Sequence, residues 1–213
     1  MAIRKKVLLV EGVNDRHVIN NLLKAHNLEN EITIRDKEGI TNILATLKTE
    51  VDANQDFLGI VVDANASLDS RWQSLTDRLK DEEIGYSNVS ENPVKKGLIM
   101  ERENFLPKLG VWVMPNNELV GKIENFIRLL VAEERETLWQ LAQKAIGEIP
   151  NEEKLFADED IIKAQVHTFL AWQDEPGRPM GESITRRYFQ IDAPEALYFV
   201  EWIRNLFELN QEE

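Results

Sequence analysis

The chain has 213 residues, 43% hydrophobic and 30% charged, the balance of an ordinary globular protein with room for one full domain and an appendage. Its 38 acidic against 25 basic residues give a formal net charge of −13, which argues against non-specific duplex binding through a basic face. With no cysteine, disulfides and thiolate metal sites are excluded, and with no apolar stretch of signal-peptide or membrane-span length, a cytoplasmic location is expected by elimination.

The first apolar run, Val7-Leu8-Leu9-Val10, has no polar alternation. It reads as a strand buried on both faces, as in a parallel sheet. Glu11 closes the run, Gly12 permits a tight turn, and Asn14 and Asp15 offer N-cap chemistry for a helix from about Arg16 to His26. Residues 31–35 alternate with period two and predict a second strand. Ile40, Ile43, Leu44, Leu47 and Val51 recur at helical spacing. A third strand spans 56–63 and ends in Asp63, as the first ends in an acid. Ser67 can cap a helix over about 68–82. Strand and helix thus alternate, the pattern of a parallel α/β sheet with right-handed crossovers.

Two more strands are predicted at 97–100 and 110–114, then a helix carrying Ile123, Phe126, Ile127 and Leu130, and another through Leu138 to Ala145. After about Asn151 only helices are read, over roughly 159–172 and 194–209. Between them, residues 173–185 hold Pro176, Gly177, Pro179 and Gly181 and are expected to be irregular. Trp172, Phe199, Trp202 and Phe207 fall at helical spacing and read as core. The expected architecture is an α/β domain over 1–150 with a central, mostly parallel sheet flanked by helices (Rossmann-like), and a helical extension over 151–213 packed on it.

In open α/β sheets ligands bind at the carboxyl ends of the strands. Glu11 and Asp63 both lie there, and would converge if strands one and three are neighbours. Converging carboxylates repel unless a proton or a cation lies between them. Mg²⁺ accepts one or two carboxylates with waters and substrate phosphates. Asn65 offers a third oxygen if the chain stays extended there, and Asp15 a fourth. The bland reading is helix capping, which comes first for Asp15 and second for Glu11 and Asp63 together. Asn116 and Asn117 read as caps. Glu118 or Glu124 could add a further metal ligand and Lys122 could touch a phosphate, though a lone lysine is usually solvated. His17, His26 and His167 have no ligand spacing, and neither a P-loop nor a G-x-S-x-G elbow is present. Arg178, Arg186 and Arg187 form a late basic spot, read chiefly as part of a structural loop.

VEGVND after a first strand, with VVDAN after a later one, resembles the Toprim domain of topoisomerases, bacterial primases, small ribonucleases and OLD-type nucleases. That family carries a Glu, usually followed by Gly, after its first strand and an Asp-x-Asp motif after a later one. The resemblance implies a Toprim-like fold and a Mg²⁺- or Mn²⁺-dependent phosphoryl-transfer site. Glu11 would be the general acid or base, and Asp63, Asn65 and Asp15 the metal ligands. Asn65 stands where the second Asp belongs, which lowers the ligand charge and weakens metal binding. WVMPNNELVGKIENF and FLAWQDEPGRPMG extend the likeness to a group of bacterial Toprim-like proteins. The function implied is nuclease-like phosphodiester processing, or binding of nucleic acid or a nucleotide through the metal. The alternative is a catalytically degenerate module that binds a protein or a nucleotide, favoured by Asn65 and the acidic charge. Neither membrane contact nor a defined oligomeric state follows from the sequence.

Overall fold

A computed structural model describes residues 4–53 and 55–209. Its strands are β1 (Lys6–Val10), β2 (Thr33–Asp36), β3 (Phe57–Asp63), β4 (Leu98–Met100) and β5 (Lys108–Met114). They form one five-stranded sheet in the order β2-β1-β3-β5-β4. β2, β1, β3 and β5 run parallel, and β4 pairs antiparallel on the edge of β5. The strands expected from apolar runs are therefore present, and β1 and β3 are direct neighbours, with Val10 beside Val61.

Alternate residues of these buried strands supply two cores, because successive side chains leave a strand on opposite faces. One face carries Val7, Leu9, Leu58, Ile60, Val62, Val111 and Val113. It is covered by α2 (Ile40–Asp52) and α3 (Leu68–Lys80), through Ile43, Leu47, Trp72 and Leu75 among others. The other carries Leu8, Val10, Phe57, Val61, Trp112 and Met114. It is covered by α1 (Val13–Ala25), α4 (Ile123–Leu129), α5 (Glu136–Gly147), α6 (Ile161–Ala171), α7 (Met180–Thr185) and α8 (Pro194–Phe207).

The helices after residue 151 share the second core with α1 and α4. α8 lies directly on the strands. Gly59 and Gly110 are paired across β3 and β5. A Cβ on Gly59 would come within 2.5 Å of Leu8 Cδ1, and one on Gly110 within 2.5 Å of Leu206 Cδ2. The paired glycines make a trough that admits Leu206 and Phe207, and nearby the Trp202 indole donates to the Leu98 carbonyl at 3.1 Å.

Three local expectations are corrected. α1 starts at Val13, with Gly12 in extended backbone as its N-cap, so Asn14 and Asp15 lie inside the helix. Within 173–185 a short helix forms after Pro179. Its Gly181 packs so close to α1 that a Cβ would meet the His17 carbonyl carbon at 2.9 Å. Trp172 is 44% exposed and not core. Among the described residues no helix is long and apolar enough to cross a membrane.

Candidate functional site

β1 and β3 deliver Glu11 and Asp63 to adjacent positions at the carboxyl rim of the sheet. The strand alternation that buries Val61 against the α1 and α4 face directs Asp63 to that same face. Asp15 lies in the first turn of α1 and Glu124 in the first turn of α4, 5% exposed each. Glu11 directly follows the last residue of β1. Its Oε1 accepts the Asp63 backbone N–H at 2.9 Å, so the acid of β1 is tied to the chain of β3.

Arg71, on the first turns of α3, reaches the same place. Its Nε donates to the Asp63 carbonyl at 2.7 Å, and its Nη2 lies 3.8 Å from Glu11 Oε1. α3 is fixed where the sequence places it: Ser67 Oγ accepts the Ser70 N–H at 3.2 Å, the expected N-cap.

The rim is short of positive charge. Burial pushes the Asp63 carboxyl up to about 9, with Asp15, Glu11 and Glu124 adding repulsion and the Ile123 N–H opposing it. Burial likewise pushes Asp15 up to about 7, with Glu11 and Glu124 adding to the rise and backbone N–H groups opposing it. Glu11 is raised by burial, and the Asp63 N–H and the Arg71 guanidinium hold that rise down. Asp15 Oδ1 and Asp63 Oδ1 are buried and have no hydrogen-bond partner.

These orphaned oxygens are hard donors of the kind Mg²⁺ and Mn²⁺ take, so the residues fit a divalent cation. Yet among the described residues no three His, Cys, Asp or Glu side chains form a ready-made cage. The acids feel one another through charge, while Glu11 is turned onto the Asp63 backbone. Closing them on an ion requires side-chain rotation.

Asn65 leaves the extended conformation, with φ 51°, and its N–H donates to the Gly121 carbonyl at 2.8 Å. It is exposed, and it borders both a pocket toward α6 and a shallow groove along α3. The straight run of chain that would range it beside Asp63 is thus interrupted.

The other polar residues singled out from sequence fall into local roles. Asn117 Oδ1 accepts the Val113 N–H at 2.7 Å, and Asn116 Oδ1 accepts the N–H groups of Glu118 and Leu119; neither caps α4. Glu118 pairs with Lys95 and Lys122 with Asp160. Arg178 pairs with Glu175 and Glu182, and Arg186 with Glu175, so two of the three arginines of this basic spot are neutralised where they stand. Arg71 was not legible as a site residue. Its only signal is a cation four residues after the Ser67 cap that follows the Asp63 strand.

Residues 5–208 match the family model described as Protein of unknown function (DUF3226). The chain belongs to the DUF3226 family. Two solved structures share its fold, both of the C-terminal region of the Xanthomonas campestris pv. campestris OLD protein. The one phased with platinum aligns with a TM-score of 0.50 and 16% identity, over 97% of this chain and 95% of that one. The one phased with mercury gives 0.50 and 16% over 98% of each. No curated protein matches the chain.

Proposed function

We propose that this DUF3226 protein is Toprim-like and processes phosphodiesters of nucleic acid or nucleotides at the β1/β3 rim, with Mg²⁺ or Mn²⁺ bound there. The observation that carries this reading is the pair of buried, unpartnered oxygens, Asp15 Oδ1 and Asp63 Oδ1, beside Glu11 and Glu124. Uncompensated buried carboxylates are costly to a fold, and a site for a cation gives them a reason. The shared fold with the OLD C-terminal region and the VEGVND and VVDAN motifs support the same assignment.

Asp63 and Asp15 would hold the cation, with Glu124 nearby to complete the charge. Bound there, it would neutralise charge developing on a phosphate and lower the pKa of a coordinated water. Glu11 has a raised pKa, and with Oε1 held by the Asp63 N–H its carboxyl would exchange a proton with the nucleophile or the leaving oxygen. Arg71 positions both the Glu11 carboxylate and the Asp63 backbone. With neutral Asn65 in place of a second Asp, we assign a single tight ion.

The second reading is a non-catalytic module binding a nucleotide or a protein, favoured by Asn65 and by the open arrangement of the acids. Labelled single- and double-stranded DNA and RNA incubated with Mn²⁺ separate the two. Cleavage by the native protein that disappears in Glu11→Gln supports the enzyme. Mn²⁺ stabilisation on thermal melting without cleavage supports the module. Loss of both in the native protein removes the metal site itself.

A further inference from the structure

A pocket of about 570 Å³ opens beside the acid rim. It is built from three segments held together. The Asn65 N–H on the Gly121 carbonyl, 2.8 Å, joins the end of β3 to the start of α4. Lys122 Nζ, 3.5 Å from Asp160 Oδ1, joins that start to the N-cap residue of α6. The pocket is therefore a fixed neighbour of Asp63 rather than a gap between independent parts.

Val120, Ile161 and Ile162 give it apolar walls, and Val120 is 54% exposed. Three side-chain amides border it: Asn65, Asn125 and Gln165. Asn125 Oδ1 accepts the Lys122 N–H at 2.9 Å, leaving its NH₂ to donate outward. Among the described residues no side-chain hydrogen bond engages Asn65 or Gln165. Lys122 is spent on Asp160 and Asp158 is paired with Lys154, while Glu159 lies exposed along the border. With its lysine already engaged, the pocket offers a phosphate little and suits a flat, uncharged group with donors and acceptors on its edge.

We infer that this pocket receives an unpaired nucleobase, placed next to a phosphate held at the acid rim. The placement of that phosphate rests on the phosphodiester reading; the pocket's own chemistry does not. The volume lies within the roughly 300–1,000 Å³ typical of small-ligand sites. Amides recognise base edges through paired donor and acceptor atoms, as in the bidentate contact of Asn or Gln with adenine. The bordering Glu159 carboxylate favours bases with exocyclic amines, adenine, cytosine and guanine, over uracil. A paired, stacked base hides both edge and face, so the occupant comes from a single strand or a free nucleotide.

The test uses the ¹⁵N-labelled full chain, titrated in EDTA with adenosine, cytidine, guanosine and uridine while side-chain amide resonances are followed. Nucleosides carry no phosphate, so the metal site plays no part. Adenosine, cytidine and guanosine should shift the Asn65, Asn125 and Gln165 signals more than uridine does, and Ile162→Glu should weaken this by about tenfold, since a carboxylate replaces an apolar wall. Val120→Lys, at a half-exposed position, serves if Ile162→Glu does not fold. Absence of shifts with all four nucleosides at millimolar concentration overturns the inference, as do shifts that persist in the variant. Comparing AMP with a short single strand, intact or with one abasic position, then distinguishes the source of the base. Nucleoside binding without any Mn²⁺ response would keep the pocket and end the phosphodiester reading; the converse would end only the pocket.

Discussion

Two acids of this protein with buried carboxylate oxygens, Glu50 and Asp63, are treated in opposite ways. Glu50, on α2 beside the edge strand β2, is 8% exposed and surrounded by donors. Its Oε2 accepts from Arg35 at 3.0 Å and from Gln55 at 3.1 Å, and its Oε1 from Lys37 at 3.1 Å. Asp63, at the end of a central strand, keeps one buried oxygen with no partner and has Asp15, Glu11 and Glu124 for neighbours. The starting end of the strands follows the Glu50 pattern: Asp56 accepts from Lys5 N–H and Arg102, and buried Lys108 meets Glu101 and Glu208. Among the described residues, the buried carboxylate oxygens without a partner are Asp15 Oδ1 and Asp63 Oδ1, both at this rim.

The comparison can be broken most severely at the paired acid. Glu50→Ala should destabilise the protein by roughly 3 kcal/mol, because Lys37 and Gln55 lose their acceptor in a mostly buried setting; urea melts would read it. Asp63→Asn should act with the opposite sign, stabilising by on the order of 2 kcal/mol in metal-free buffer at alkaline pH, where the native group must ionise against its neighbours. Equal losses from the two variants would erase the distinction between them.

The pH dependence sharpens the same point. Asp15 and Asp63 have folded pKa values, about 7 and about 9, above their ordinary 3.8. Their contribution to stability is complete below about pH 4 and is lost as pH rises through 7 and then 9, since the unfolded chain has already released those protons. The melting temperature in EDTA should fall over this window, and Asp63→Asn should flatten its alkaline part. Mn²⁺ should bind more tightly as pH rises, because the ion displaces the protons. The smallest effect is expected from Asn65→Asp, where an added charge at the rim tightens Mn²⁺ by about tenfold by calorimetry, provided the turn at φ 51° persists.

Much of the scaffold was legible because buried parallel strands announce themselves as unbroken apolar runs. Val7–Val10, Phe57–Val62 and Leu109–Met114 are such runs, and Ser67 marks its helix by capping chemistry. Glu11 and Asp63 were readable as rim residues because each closes a strand. Glu124 was readable only as one metal candidate beside Glu118, and Arg71 not at all, since each sits on a helix whose docking against the rim no local pattern encodes. Asp15 matched the chemistry of a cap, and only the start of α1 at Val13 shows it one turn further in. The short α7 was hidden by the density of proline and glycine around it, and it forms because Gly181 lets it press against His17.

The order of residues alone determined the alternation of strands and helices, the acids at the two strand ends and the absence of sulfur chemistry, because each depends on neighbours within a few positions. The tertiary structure decided that β1 and β3 are adjacent, that α1 and α4 bring Asp15 and Glu124 to the same rim, and that Asn65 turns toward a pocket walled by α6. These are long-range facts, set by which apolar faces can be buried together, and the charge they concentrate at one edge exists only once the chain has closed on itself.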